Sequence, residues 1–395
     1  MKLNKLVEKL AAFEPNGFPV VSIYLDARAN ENGRDEYEIW LRQAINEAGE
    51  EFEEDSAEAE SFKADIERIQ TFLDEEAEED ANGIAIFACS GADGFFETVQ
   101  LDVAFPNNRL FAFDRPHIFP LVRLIEQNPK YAVLWSDTNK ADIYVFGGEN
   151  TINLETETKA KVEEIENTVT QRTKVGGWSQ ARFQRHIGNF HLQHAKETVE
   201  ELEKLMRDAR IEHLVLCGDE TRIMPILRPQ LPKALEDAVV ATLNMSQYAS
   251  EDEIREKTHE IMAIENAVKD KERVQRMYDA AKAAAGLGTL GVEDTLAALS
   301  NGQVEELIIS SSFNAIRYSP KKVKKVLKAY APGEDNSASD ELPEVKEIRQ
   351  VGDELIIRAL NSAAKIVFVE DESLLKEAGG VGAVLRYNMN ATANG

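Results

Sequence analysis

Short apolar runs, each too brief to be a helix of its own, recur along this chain between long stretches of helical periodicity. That alternation limits the possible folds more than any other feature. Residues 18–25, Phe-Pro-Val-Val-Ser-Ile-Tyr-Leu, read as a buried strand. A long acidic helical stretch follows, with Trp40, Leu41, Ile45 and Phe52 on its apolar side, and Phe62, Ile66, Ile69 and Leu73 continue the spacing. Residues 83–88 and 95–103 are strand-like, and Asn107-Asn108 marks a turn before a further strand at 110–113. The pattern predicts an α/β domain over residues 1–128, ending where Gln-Asn-Pro-Lys breaks it.

A second domain, 129–285, opens with a hairpin in which residues 131–135 and 142–146 flank the turn Ser-Asp-Thr-Asn-Lys. A long helix to about residue 210, a buried strand at 213–217 and two further helices follow, predicting a mixed sheet with helices packed on it. A third domain, 286–395, begins at Gly286-Leu-Gly-Thr-Leu-Gly. It holds a helix (292–299), a strand (306–310), a basic helix (321–328), a polar insertion (332–343), another helix, a strand (365–369) and a closing segment (379–387). The fold class expected is α/β, with α+β character in its mixed sheets.

Hydrophobic residues make up 43% of the 395, enough for sizeable cores, and no apolar run approaches a membrane span. Leu3, Leu6, Val7 and Leu10 sit at helical spacing among charges, so the opening residues read as an amphipathic helix, not a signal peptide. Cys89 and Cys217 lie in apolar, strand-like runs, which predicts buried reduced thiols in a cytoplasmic protein. The net charge is -26, and residues 1–80 alone carry 23 Asp/Glu against 8 Lys/Arg. Such a region repels phosphate backbones, so any nucleic-acid contact belongs elsewhere.

One window breaks the acidity. Residues 171–190 carry Arg172, Lys174, Arg182 and Arg185 and no acid, around Gly176-Gly177, Trp178 and Gln180. The glycines allow a close backbone approach, Trp178 offers a stacking face for a base, and the four cations suit phosphates. The competing interpretation is a surface loop opening an amphipathic helix with Ser179 as its cap. Phe183, Ile187 and Phe190 recur at helical spacing and are expected to face a core. His186, His191 and His194 are read as extending the polar face toward RNA; a metal site is disfavoured, since Glu197 is the sole carboxylate near them. The glycine-rich segments lack the context of a phosphate loop, and no cofactor is implied. The lysines at 321, 322, 324, 325 and 328 form a cationic helix, either a solvated face or a contact for RNA or a partner.

Three motifs resemble those of the archaeo-eukaryotic class-1 release factor superfamily. Gly176-Gly177-Trp178-Ser179-Gln180-Ala181-Arg182-Phe183 is similar to its Gly-Gly-Gln-Ser-x-x-Arg-Phe. Gly379-Gly380-Val381-Gly382-Ala383-Val384-Leu385-Arg386-Tyr387 is close to its carboxy-terminal Gly-Gly-x-Gly-x-x-Leu-Arg-Tyr. Asp294 to Leu299 with Gly302-Gln303-Val304 is similar to the start of the same domain.

The resemblance implies a three-domain architecture, with an exposed Gly-Gly loop on a mixed-sheet middle domain and a carboxy-terminal α/β/α domain. It implies the ribosome, peptidyl-tRNA and ribosomal RNA as partners, a translational GTPase as a further one, and no membrane. Gln180, with Gly176 and Gly177, is the implied catalytic set for peptidyl-tRNA hydrolysis. Arg172, Lys174, Trp178, Arg182 and Arg185 are the implied RNA contacts. Trp178 stands where release factors carry Gln, while Gly177-Trp178-Ser179-Gln180 fits the Gly-x-x-Gln of the Vms-like branch. Two functions follow: a codon-independent rescue hydrolase, or a non-enzymatic A-site occupant like the Balon-type hibernation factors. The Asn-Ile-Lys-Ser of stop-codon readers is missing, and Phe111, Phe113 and His117 fall where their Tyr-x-Cys-x-x-x-Phe would be.

Overall fold

The computed structural model describes residues 3–28, 37–78, 81–138, 140–147, 163–166, 180–246, 248–330 and 348–388. They divide into two compact units: the first joins residues up to Gln127 with those from Ala267 onward, and the second lies between Asn128 and Asn266.

The amino-terminal part of the first unit runs α1 (Leu3–Ala11), β1 (Val20–Asp26), α2 (Tyr37–Gly49), α3 (Ala57–Glu75), β2 (Gly83–Cys89), β3 (Phe95–Leu101), β4 (Arg109–Phe113) and α4 (Phe119–Gln127). Its sheet, in order β3-β2-β1-β4, is antiparallel throughout. Side chains alternate across it. Val21, Ile23 and Leu25 join Leu41 of α2 and Phe62, Ile66 and Ile69 of α3. Tyr24, Ala85 and Phe87 face the opposite side, with Leu3, Leu6 and Leu10 of α1. Covering both faces is why β1 reads as an unbroken apolar run. Ser56 caps α3, its Oγ accepting from the Ala59 N–H at 3.1 Å. Buried Asp65 ties α3 to the turn after β2, accepting from both the N–H and the hydroxyl of Ser90 at 2.6 Å. Burial pushes its carboxyl up to about 6.

In the second unit β5 (Tyr131–Ser136), β6 (Lys140–Phe146) and β7 (Glu163–Glu166) precede α5 (Gln180–Ala209), β8 (Leu214–Gly218), α6 (Met224–Leu227), α7 (Lys233–Ala238), β9 (Val239–Leu243) and α8 (Glu251–Lys282), which runs on into the first unit. The sheet order is β7-β6-β5-β8-β9; β8 is parallel to both its neighbours, and β5-β6 and β6-β7 are antiparallel. The mixed sheet is as expected. Strand β9 was not: it follows α7 with no intervening residue and is only half-buried, so neither a turn nor an apolar run announces it.

The carboxy-terminal part contains β10 (Gly288–Leu290), α9 (Val292–Ser300), β11 (Val304–Ser310), α10 (Pro320–Ala329), α11 (Ile348–Asn361), β12 (Lys365–Val369) and β13 (Val381–Leu385). The sheet order is β10-β13-β11-β12, with β11 and β12 parallel. Leu296, Val323 and Leu355 of α9–α11 cluster with Leu307 and Ile309 of β11. On the other face Val274 and Met277 of α8 meet Ile308 and Val367. This is the α/β/α sandwich expected.

Within the first unit the two parts share a single hydrophobic core, in which Leu6, Phe119 and Leu121 join Val351, Leu355 and Phe368. A buried polar clasp sits beside it. Asp353 on α11 accepts from the backbone N–H groups of Ile118 and Phe119, both at 2.9 Å, and its second oxygen lies 2.5 Å from His117 Nδ1. Asp353 thus caps the start of α4 from a residue 235 positions away in sequence. The His117 N–H donates to Ser22 Oγ at 3.0 Å, and the Tyr24 hydroxyl donates to the His117 carbonyl.

Asp353→Ala removes the acceptor for three buried donors, and is expected to cost the first unit about 3–5 kcal/mol in urea unfolding. Asp353→Asn, whose amide oxygen still accepts from the two backbone groups, should lose distinctly less. Equal losses would show that the clasp is not what joins the two parts.

Candidate functional site

Helix α5 begins at Gln180 and runs for 30 residues, about 45 Å. The helix expected to follow the Gly-Gly loop is therefore present. Arg172, Lys174, Gly176, Gly177 and Trp178 lie outside the described residues, as does the exposed loop expected to hold them. Gln180 opens the first turn, and Arg182 and Arg185, three apart, share one face of the first two turns. The first-turn N–H groups have no intrahelical acceptor and carry the positive end of the helix dipole. Cations there add to that field where a stabilising choice would be acids, and the result is an end suited to anions.

What holds the helix is its other half. Ala195, Val199, Leu202, Leu205 and Met206 pack against Ala132 and Leu134 of β5, Ile143 of β6, and Leu214 and Leu216 of β8. Charge follows the same division. No Asp or Glu occurs between residues 167 and 196, whereas Glu197, Glu200, Glu201, Glu203 and Asp208 all lie in the anchored half. Three of these acids are engaged on the helix itself: Gln193 donates to Glu197 at 2.9 Å, and Glu201 and Asp208 pair with Lys204 and Arg207 at 3.7 and 3.5 Å.

The histidines correct one expectation. His191 is half-exposed, but His194 is buried, adjoining the core residue Ala195. Burial holds its pKa below the ordinary value, opposed by the nearby Lys140 carbonyl and the Asp137 carboxylate. His194 therefore belongs to the packed interior and does not extend a polar face. Cys89 and Cys217 are free and buried, their thiols pushed up to about 11 and about 12 by burial. Neither is a nucleophile at neutral pH.

Two further groups were singled out by sequence. The lysines of α10 (321, 322, 324, 325 and 328) are all exposed, with no ion-pair partner among the described residues, while Val323 anchors the helix. Phe111, Phe113 and His117 stack on one another, with ring centroids 4.2 Å apart for Phe111–His117 and 5.9 Å for Phe113–His117. His117 is fully buried in the clasp. These three side chains are packing elements.

The carboxy-terminal motif is a folding device. Gly380 has φ +85°, and a Cβ there would meet the Ala315 carbonyl oxygen at 2.5 Å. A Cβ on Gly382 would lie 2.7 Å from the Thr289 carbonyl oxygen and 2.4 Å from Met277 Sδ, so the glycine lets α8 press onto the β10–β13 pair. Arg386 donates to the Ala363 carbonyl at 2.8 Å, just past the end of α11. The Tyr387 hydroxyl donates to the Asn301 carbonyl at 3.2 Å, and Gln303 donates to the Tyr387 carbonyl at 3.2 Å. Two of the three motifs that carry the resemblance therefore bond to each other.

Comparison with known proteins agrees with this arrangement. Residues 116–263 match the model of bacterial archaeo-eukaryotic release factor family 10, and residues 267–389 match eRF1 domain 3. Peptide chain release factor subunit 1 of Thermococcus kodakarensis is 23% identical over 427 aligned positions, covering 98% of each chain. Eukaryotic peptide chain release factor subunit 1 of Saccharomyces cerevisiae is 31% identical over 144, covering 33% of each. Among solved structures, archaeal Pelota in a ribosome-bound assembly with ABCE1 aligns at TM-score 0.42 and 14% identity, covering 98% of this chain and 94% of that one. With the two family models following one another in order along the chain, and full-length relatives beside them, the chain belongs to the archaeo-eukaryotic release factor superfamily.

Proposed function

We propose that this chain is a ribosome-associated factor that hydrolyses peptidyl-tRNA on stalled ribosomes without reading a codon. One observation carries the reading: an acid-free, cationic half-helix opening at Gln180, three residues after Gly176-Gly177, in a chain of net charge -26. The sequence division into residues 1–128, 129–285 and 286–395 is kept as its functional organisation, with the middle domain delivering the chemistry in the cytoplasm. Ribosomal RNA and tRNA are the anions this end meets, and a translational GTPase is the proposed delivery partner.

Peptidyl-tRNA is an ester, so water must attack its carbonyl while donors stabilise the oxyanion that forms. Gln180 does not titrate near neutral pH and is no general base. Its amide orients the water, while backbone N–H groups of the Gly-Gly loop and the first helical turn meet the developing charge. Arg182 and Arg185 hold phosphates, and the ribosome supplies the rest of the site. A second reading, a non-enzymatic A-site occupant that protects idle ribosomes, is favoured by Trp178, which stands directly after Gly177 where release factors carry Gln.

Gln180→Ala is expected to abolish peptide release from ribosomes bearing labelled peptidyl-tRNA and to leave ribosome binding nearly intact, because the amide acts in the transition state. Arg182→Glu with Arg185→Glu should do the reverse, weakening binding and flattening its salt dependence. Unchanged release by Gln180→Ala would remove Gln180 from the chemistry, and ribosome binding without release by the unsubstituted protein would establish the occupant reading instead.

Codon independence has its own support. The turn between α2 and α3 exposes Glu50, Glu51, Glu53, Glu54 and Asp55, which repel messenger phosphates. His117 packs edge-on against Phe111 and Phe113, and Phe111 and His117 are buried. Ribosomes displaying a stop codon, a sense codon or an empty A site should bind the protein alike. A preference of about tenfold for stop codons, about 1.4 kcal/mol, would refute it.

A further inference from the structure

Among the described side chains of α5, those before His194 are exposed or half-buried, and His194, at 2% residue exposure, is the first of the buried face. Ala195, Thr198 and Val199 follow it into the interior. The ring stands where the acid-free half of the helix meets the anchored half. It packs at the turn between β5 and β6, beside Asp137 and Lys140. That turn is closed on itself: the Asp137 N–H donates to the Lys140 carbonyl at 2.8 Å, and the Lys140 N–H donates to Asp137 Oδ1 at 2.7 Å.

An aliphatic residue would fill this position without burying polar groups; histidine does not. Among the described residues no hydrogen bond is completed at either ring nitrogen of His194, nor at the Thr198 hydroxyl one turn further on. Polar groups buried in that condition destabilise the packed state. Burial also disfavours the imidazolium and keeps the ring neutral, its pKa below 6.5. The Lys140 carbonyl and the Asp137 carboxylate favour the charged ring, as does Glu197 on α5 itself, while His191 opposes it. Lys140 turns its ammonium elsewhere, 3.3 Å from the Asp142 carboxylate. The strand residues facing the helix, Ala132 and Leu134 of β5, Ile143 of β6, and Leu214 and Leu216 of β8, carry no titratable group. Arg228, just past α6, is exposed and donates to the Thr242 hydroxyl at 2.6 Å. This interior accommodates the neutral ring and opposes the charged one.

We propose that His194 is an acid-sensitive pin, which on gaining a proton leaves the packed face and releases α5 from the β5–β6 turn. The ring is held below 6.5 only while buried, so the closed arrangement keeps its full stability above that pH and loses it progressively below. Released at this point, the helix stays attached through Val199, Leu202 and Met206, while its cationic beginning gains play. Acid thereby controls how firmly the end that begins at Gln180 is held. That consequence alone rests on the proposed function; the release itself needs no ribosome.

The test is hydrogen exchange of the full chain at about pH 7.5 and about pH 5.5, read by mass spectrometry and corrected for the intrinsic pH dependence of exchange. Peptides covering residues 189–200 are expected to open about threefold or more readily at the lower pH, while those covering β8 keep their protection. His194→Phe, which fills the site with a ring that does not titrate, should remove the difference, as should His194→Gln. His191→Asn should leave it in place. Titration of the His194 ring by NMR in the unsubstituted protein should give a value below 6.5, and decides the matter if neither His194 variant folds. The proposal is overturned if protection at 189–200 is the same at both pH values, or if β8 opens in step with it. It is equally overturned if the difference survives in a folded His194 variant or is lost in His191→Asn, or if the ring titrates at 6.5 or above. Peptide release enters none of these readings, so a failure of hydrolysis at Gln180 would leave them standing.

Discussion

A single carboxylate, that of Asp353, joins two stretches of chain more than two hundred residues apart. A charge buried at 6% residue exposure survives only where donors replace its hydration. Asp353 finds three: two backbone N–H groups at the start of α4 and the ring of His117. Each of them is fixed in turn, for the His117 backbone is tied to Ser22 and Tyr24 of β1. The amino-terminal sheet, α4 and α11 thereby become one body. The aromatic stack beside β4 depends on that registry. Ion pairs farther out, Arg115–Glu354 and Arg123–Glu370, follow the same seam but are partly exposed and contribute less.

The motifs that mark this chain as a release-factor relative do different physical work. At the carboxy terminus, glycine is required because backbone and Met277 approach where a Cβ would stand. Arg386 and Tyr387 are required because they satisfy carbonyls at the ends of other elements. Such residues identify a fold without identifying a reaction. The motif from Gly176 to Phe183 is the one on which the proposed reaction rests, and Gln180 is where its helix begins.

Much of the architecture was legible because the apolar periodicities are local. Strand β1, the β5–β6 hairpin and the long helix follow from spacing within a few turns, and the α/β/α third domain was implied by the resemblance of its motifs. Three strands were not, and the first of them, β7, is three glutamates around one isoleucine. Strand β9 joins α7 directly, with all five residues half-buried, and β10 is three residues inside a glycine-rich stretch that reads as a linker until β13 pairs with it. The expectation for His194 failed because a histidine on an otherwise polar helix gives no sign that its side faces a sheet. The clasp was invisible for a deeper reason: Asp353 and His117 are ordinary residues in sequence, and only long-range folding brings them together. At the candidate site, the charge pattern and helix start were legible in full, because both are properties of contiguous residues.

The same charge pattern gives so acidic a protein one end suited to an anion. Fields from exposed charges fade over about 8 Å at physiological ionic strength, so the net charge of the chain does not govern contact at one end of a long helix. What governs it is the nearest turn or two, and there the acids are absent. Placing the acids of α5 in its anchored half removes like-charge repulsion from the tip and leaves the helix dipole and two arginines to act together.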